Sequence, residues 1–260
     1  MSTQAQKGRK TNPLMVQSVA KAFRVLQAFD SKHPSMSLSE IAEQTNMDLS
    51  AAQRFAYTLQ HLGYLTKNPV TRQFSLALKT LDLGYNYRQS SELVGRAMPV
   101  LQHLSKQTEE TVNLTILDGT EIVYIARIQS RHVLNADVTT GTRLPAYCMS
   151  PGRAILSQMS EEDARAVIAK SDLQMHTPAT VTDPDRLMQL IAEVRVQGYA
   201  VCFEELYRGD ASIAAPIIGP GDKVTGAVSI ATSLARFSPE EVTENYANLI
   251  IAAGRSISIP

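Results

Sequence analysis

The stretch SLSEIAEQTNMDLSAAQRFAYTLQH, residues 37–61, decides how this chain is read. Ser37 followed three residues later by Glu40 is a capping box, a helix start in which side chain and backbone cap each other. Leu38, Ile41, Ala42 and Thr45 then recur at helical spacing as an inward face. Asn46, Met47 and Asp48 make a tight connection, and a further helix follows on which Ala52, Phe55, Leu59 and Leu62 point one way, with Gly63 placed as its cap. Two short helices joined by such a turn predict a helix-turn-helix, whose second helix lies in the major groove of DNA. The outer side of that second helix carries Ser50, Gln53, Arg54, Tyr57 and His61 and no carboxylate. An acid on this face would be repelled by phosphate. Ser50 and Ala51 are small enough to let the first turn approach base edges. Gln53 and Arg54 have the side chains that contact A and G bidentately. Arg54 can equally hold a phosphate, as can Tyr57.

Upstream, Val19, Ala22, Phe23, Leu26 and Phe29 recur at steps of three and four, which predicts one more amphipathic helix. Downstream, β-type runs at Tyr64–Thr66 and Gln73–Leu76 flank an Asn68-Pro69 turn and read as a hairpin, or wing. Lys67, Thr71 and Arg72 of that wing are placed to reach the flanking backbone or minor groove. The same helices and hairpin also suit a small protein-interaction domain. Charge argues for nucleic acid: residues 1–90 hold 11 Lys or Arg against 5 Asp or Glu, a net of +6, and the remainder is net −6, although the whole chain is neutral.

A chain of 260 residues has room for two domains. The expected division is a loose basic arm at 1–13 (Lys7, Arg9, Lys10), a winged helix-turn-helix at 14–76, a linker helix at 77–91 with Leu78, Leu81, Leu83 and Tyr85 in its pattern, and a second domain at 92–260. In the second domain, Val94, Ala97, Met98, Leu101 and Leu104 mark a helix. Thr111–Leu117 and Glu121–Ile128 read as strands around the Asp118-Gly119 turn. Val133–Val138 alternates, and a loop through Gly141, Pro145 and Pro151 leads to a short helix from Arg153. Asp183-Pro184-Asp185 could be a metal-binding carboxylate pair, but a capping Asp before Pro is the commoner start of a helix. Strands follow at Tyr199–Phe203, Ala211–Ile218 and Val224–Thr232, and Ser238 caps a last helix to about Ala253. This mixed order predicts an α+β fold rather than a doubly wound one.

Enzyme signatures are missing: no GxSxG, HExxH, P-loop or GxGxxG follows a strand, and the five histidines lack ligand spacing. No cofactor or metal is expected. Cys148 and Cys202 are too few and too separated for a disulfide framework, and a cytoplasmic setting is expected, with no signal peptide or membrane span.

The chain resembles the IclR family of bacterial regulators from about Gln17 to Ile257. The resemblance rests on Ser37–Ala42, Arg54 with Thr58-Leu59, Leu62–Leu65, Asp118-Gly119 with Val123-Tyr124, Gly141 with Leu144-Pro145, Gly152–Ala154, Gly198-Tyr199, Ile213–Ile217 and Ala227–Ile230. It implies a winged helix-turn-helix joined by a linker helix to a GAF-like effector-binding domain. It further implies a homo-oligomer, a dimer or dimer of dimers, on palindromic double-stranded DNA, and an effector that is a small organic acid. Carried over residue by residue, the effector positions are Ser150, Pro151, Cys202, Ser212 and Ser229. Cys202 stands where a member that binds very small keto acids has Asp, and Ala231 where a second Ser occurs, which disfavours tiny keto acids here. Asn113-Leu114 and Arg143–Cys148 are similar to the subgroup that controls aromatic-acid catabolism through the β-ketoadipate route. An aromatic carboxylic acid is therefore the expected effector, with Arg127 or Arg143 as its carboxylate partner, although Arg143 is equally readable as structural. A metabolic enzyme or signalling module, with an N-terminal domain used only for assembly, is the competing reading.

Overall fold

The computed structural model describes residues 14–132 and 137–259. It divides into two compact units that meet in sequence between Tyr87 and Arg88. The expected arm at 1–13 lies outside the described residues, as does all of the expected Val133–Val138 strand but its last two positions.

The first unit contains α1 (Gln17–Gln27), α2 (Leu38–Thr45), α3 (Leu49–His61), β1 (Leu65–Lys67) and β2 (Phe74–Leu76); α4 (Thr80–Ser90) crosses the boundary. The capping box forms as the spacing demands: the Ser37 hydroxyl accepts from the Glu40 N–H, and the Glu40 carboxylate accepts from the Ser37 N–H at 2.7 Å. Asn46 takes the left-handed conformation that turns the chain, and Asp48 caps α3 by accepting from the Ala51 N–H at 2.8 Å. After α3, Gly63 at φ 83° lets Tyr64 donate back to the Leu59 carbonyl, which stops the helix. β1 and β2 pair antiparallel, and Met36 adds a bridge to Phe74, so the wing is pinned to the segment before α2. Val25, Met36, Ile41, Ala52, Ala56, Leu59, Leu65 and Phe74 form the core.

Two expected faces are corrected. On α3 the buried residues are Ala52, Ala56 and Leu59, with Phe55 half-buried; Leu62 lies past the last helical residue, has left the periodic face and is 50% exposed. On α1 the core takes Val25 just within the helix and Phe29 just past it, while Val19 and Phe23 are exposed. That helix is apolar on two sides, and the unit covers one.

The second unit is built on a six-stranded antiparallel sheet of order β5-β4-β3-β8-β7-β6. Its strands are β3 (Thr111–Asp118), β4 (Glu121–Ile128), β5 (Arg143–Pro145), β6 (Ala200–Phe203), β7 (Asp210–Gly219) and β8 (Lys223–Ser233). The helices are α5 (Glu92–Thr108), α6 (Ser150–Leu156), α7 (Glu161–Lys170), α8 (Pro184–Gln197) and α9 (Pro239–Ile257). Asp183 caps α8 through the Arg186 N–H, which gives Asp183-Pro184 its role as a helix start. β5 is a short edge strand where a loop was expected; it pairs with Glu121–Val123 of β4. This is the α+β architecture the sequence predicts.

Helices cover the sheet on both faces. α5 and α9 pack with Val112, Leu114, Ile213, Val228 and Ile230 on one side. α6 and α8 pack with Ile122, Ala214 and Ala227 on the other. Because side chains alternate along a strand, the positions between Val112, Leu114, Val228 and Ile230 face α6, and there the chain places Thr111, Asn113, Thr115 and Ser229, all buried. α6 sits close: a Cβ on Gly152 would lie 2.0 Å from the Ala146 carbonyl oxygen, so only glycine fits.

A buried ion pair fixes α6. The Arg153 guanidinium donates to both Glu205 oxygens at 2.6 Å and through Nε to the Tyr147 carbonyl at 2.8 Å, while Glu205 also accepts from the Val181 N–H. Both side chains are more than nine-tenths buried. Glu205→Gln would leave the guanidinium without its counter-ion and should lower the unfolding free energy by about 3–5 kcal/mol in urea titrations. A loss under about 1 kcal/mol would show that α6 is held by packing alone.

Candidate functional site

In the second unit a narrow cleft opens on the α6 face of the sheet, with a cavity volume of about 30 Å³. Polar residues from four strands converge on it: Thr111 and Asn113 from β3, Arg127 from β4, Asp210 and Ser212 from β7, Ser229 from β8. Val138, Leu144, Met149 and Pro151 supply an apolar wall, and Tyr124 and Tyr207 supply rings. An apolar slot with a few convergent polar groups is the usual form of a small-molecule site.

The polar groups are ordered. Arg127 Nη1 donates to Asn113 Oδ1 at 2.9 Å, and Asn113 Nδ2 donates to Ser229 Oγ at 3.4 Å. These three residues lie directly opposite one another across β4, β3 and β8. Ser150 Oγ donates to Ser212 Oγ at 2.8 Å, tying the first turn of α6 to β7. Burial pulls the Arg127 guanidinium below its ordinary pKa, opposed by the nearby Tyr124 and Asp210, and burial pushes the Tyr124 hydroxyl up. Close by, burial raises the Glu110 carboxyl against the pull of its partner Arg236.

Of the seven positions expected for an effector, Arg127, Pro151, Ser212 and Ser229 line the cleft, and Ser150 stands one hydrogen bond behind it. Two are corrected. Arg143 is on the edge strand β5, largely exposed, and its guanidinium bridges Asp118 and Glu121; a carboxylate pair already neutralises it. Cys202 is opposite Ser212 in the sheet, but its thiol is packed near the Arg153–Glu205 pair and does not line the cleft. Asn113, Thr111, Asp210 and Tyr207 were missed. Their signal was present for Thr111 and Asn113: polar residues alternating with Val112 and Leu114 in a strand whose two faces are both covered.

In the first unit, Ser50, Gln53, Arg54 and Tyr57 are exposed on one side of α3, and Ala51 is half-buried with its N–H committed to Asp48. Gln53, Arg54, Tyr57, Gln60 and Lys67 share a shallow groove with Leu38 and Phe74. Lys67 lies 5.0 Å over the Phe74 ring, and Tyr57 stacks on His61. Thr71 and Arg72 are exposed at the wing tip, where the Asn68 side chain accepts from the Val70 and Thr71 N–H groups. Among the described residues Arg54 makes no ion pair, so its charge is available to a ligand.

Comparison with known proteins finds a match in each unit. The IclR helix-turn-helix domain matches residues 18–69, and the bacterial transcriptional regulator IclR C-terminal domain matches residues 85–259. The chain is 34% identical over 247 residues to the Pca regulon regulatory protein of Pseudomonas putida, covering 95% of this chain and 84% of that one. An IclR transcriptional regulator from Alicyclobacillus acidocaldarius superposes with a TM-score of 0.82 at 27% identity, over 94% of this chain and 98% of that one. An IclR homolog from Microbacterium hydrocarbonoxydans, solved with 4-hydroxybenzoate, shares the fold at a TM-score of 0.78 and 23% identity, over 93% and 97%.

Neither cysteine is set up as a nucleophile. Burial pushes the Cys148 thiol up to about 12 and Cys202 well above its usual value, so both are neutral thiols at physiological pH. An aromatic disulfide reagent at pH 8 should label neither in the folded chain and both in 6 M guanidinium. Rapid labelling of the folded protein would contradict this burial.

Proposed function

The chain belongs to the IclR family of bacterial transcriptional regulators, and we propose that it controls a catabolic operon by binding a palindromic operator and sensing a small aromatic carboxylic acid in the cleft of its second unit. Members of this family regulate transcription and are not enzymes, so the cleft is a sensor and not an active site. The observation that carries the reading is the cleft's composition: a half-buried guanidinium and a row of hydroxyl and amide groups beside an apolar slot. A carboxylate takes the donors and a ring takes the slot. The Pca regulon regulator of Pseudomonas putida and the fold relative that holds 4-hydroxybenzoate support an aromatic acid.

In this reading α3 enters the major groove. Ser50, Gln53 and Arg54 reach bases, Ala51 keeps the first turn close, and Tyr57, Lys67, Thr71 and Arg72 take the backbone or minor groove on either side. A palindrome requires two copies. The first unit leaves Val19 and Phe23 of α1 and Leu81 and Tyr85 of α4 exposed, each pair at a four-residue step that lines one helix face, and a second copy of the chain is the partner that would cover them. Effector binding then shifts the population of arrangements that fit both half-sites. No helix among the described residues is long and apolar enough to cross a membrane; the protein acts in the cytoplasm, where its operator is.

Gel-shift titration over the intergenic DNA beside its own gene tests the proposal. Binding should be specific and weaken steeply from 50 to 200 mM salt. Arg54→Ala should cost about 10- to 100-fold in specific affinity, and Arg72→Ala should lower the salt slope by about one. Salt-insensitive binding, or an Arg54→Ala protein that binds as wild type does, would overturn the reading-head assignment.

A further inference from the structure

We propose that the tip of the wing enters the minor groove beside each half-site with Arg72 as its probe, so that the operator is read there as A·T against G·C; the inference rests on the first unit being a DNA-reading head. Wing and reading helix open on one groove, lined by Gln53, Arg54 and Tyr57 of α3 and by Lys67 and Phe74 of the hairpin, so both are turned to the same face. With α3 in the major groove, the wing reaches the minor groove next to it. The backbone donors at the tip are already spent. Asn68 Oδ1 accepts from the Val70 N–H at 2.8 Å and the Thr71 N–H at 3.1 Å, the Asn68 carbonyl accepts from the Arg72 N–H at 2.9 Å, and Pro69 has no N–H. No amide of residues 69–72 is left to hold a phosphate, so the tip meets DNA through its side chains.

Those side chains suit a minor groove. Val70, at the tip, is 87% exposed. An apolar tip gains nothing from a phosphate, whereas proteins that enter the minor groove present apolar residues together with arginine. No Asp or Glu lies between Gly63 and Lys79. The two lysines of the region are engaged, Lys67 at 5.0 Å over the Phe74 ring and Lys79 donating to the Leu62 carbonyl at 3.0 Å. Arg72 is exposed, and among the described residues its side chain makes no hydrogen bond or ion pair. It also stands at φ 62°, a left-handed position that glycine fills without the Cβ penalty other residues bear. An arginine that strains the turn and touches nothing in the fold is kept for what lies outside it. Its planar, weakly hydrated guanidinium enters a narrow groove more readily than an ammonium does, and A·T pairs keep that groove narrow and free of the guanine amino group.

The test is gel-shift titration of the full chain on the segment of intergenic DNA that it protects. The base pair in the minor groove beside the half-site, located by hydroxyl-radical footprinting, is set in turn to A·T, T·A, G·C and inosine·C. Inosine·C matches G·C in the major groove but lacks the guanine amino group in the minor one. Wild type should bind the A·T, T·A and inosine·C duplexes within about twofold of one another and the G·C duplex about tenfold more weakly. Arg72→Gly removes the left-handed strain, so its melting temperature should equal or exceed that of wild type, while its affinity for the A·T duplex falls about tenfold and the G·C penalty shrinks below about twofold. Arg72→Lys keeps the charge and should keep the salt slope, yet lose most of the A·T preference. Equal wild-type binding to A·T and G·C, an inosine·C duplex as weak as G·C, an Arg72→Gly protein that melts below wild type, or an Arg72→Lys protein with the full A·T preference would overturn the assignment of Arg72 and leave the reading of α3 standing. If the wild-type chain binds no segment of this DNA specifically, the reading-head assignment fails and the proposal with it.

Discussion

A polar side chain between a β-sheet and the helices that cover it is costly to leave unpaired, and this constraint shapes the middle strands of the second unit. α5 and α9 close one face with a continuous aliphatic layer. On the other, Thr111, Asn113 and Ser229 occupy positions where a purely structural sheet would carry valine or alanine. Buried polar groups without partners cost roughly 1–3 kcal/mol each, so such residues persist when they are paired or when they serve a ligand. Here Arg127, Asn113 and Ser229 are paired and line the cleft. They bond to one another in a row across three strands.

The surrounding structure holds that row in place. The Arg153–Glu205 pair anchors α6, the close approach at Gly152 brings the helix onto the preceding loop, and the Ser150–Ser212 bond joins its first turn to β7. Pro151 and Met149, which wall the cleft, are positioned by these contacts. Rigid framing of this kind is what a sensor of a small acid needs, because selectivity by a few hydrogen bonds survives only if the donors cannot rearrange around a poor ligand.

Much of the first unit was legible in residues 37–61, because capping boxes, turn residues and helical periodicity are local signals. Ser37, Glu40, Asn46, Asp48 and Gly63 all do what their positions announce. The misreadings came where periodicity had two answers. α1 is apolar on two sides, so spacing alone could not say that Val25 goes in while Val19 and Phe23 stay out. In the cleft, the resemblance led to Pro151, Ser212 and Ser229, and chemistry to Arg127. Arg143 differs from Arg127 in place and company: it is exposed on the edge strand, and Asp118, 25 residues away in sequence, lies beside it in space. Cys202 shares a face with Ser212 but lies beyond it, toward the ion pair that fixes α6. Asn113 could be read as a family mark in the sequence; its place between Arg127 and Ser229 needed the register of three strands.

The most direct measurement of the central claim is a crystal structure of the chain grown with an aromatic carboxylic acid such as 4-hydroxybenzoate. The account predicts the carboxylate against Arg127, Asn113 and Ser229, with the ring between Leu144, Met149 and Pro151. An acid bound with its carboxylate directed away from that row, or bound outside the cleft altogether, would contradict it.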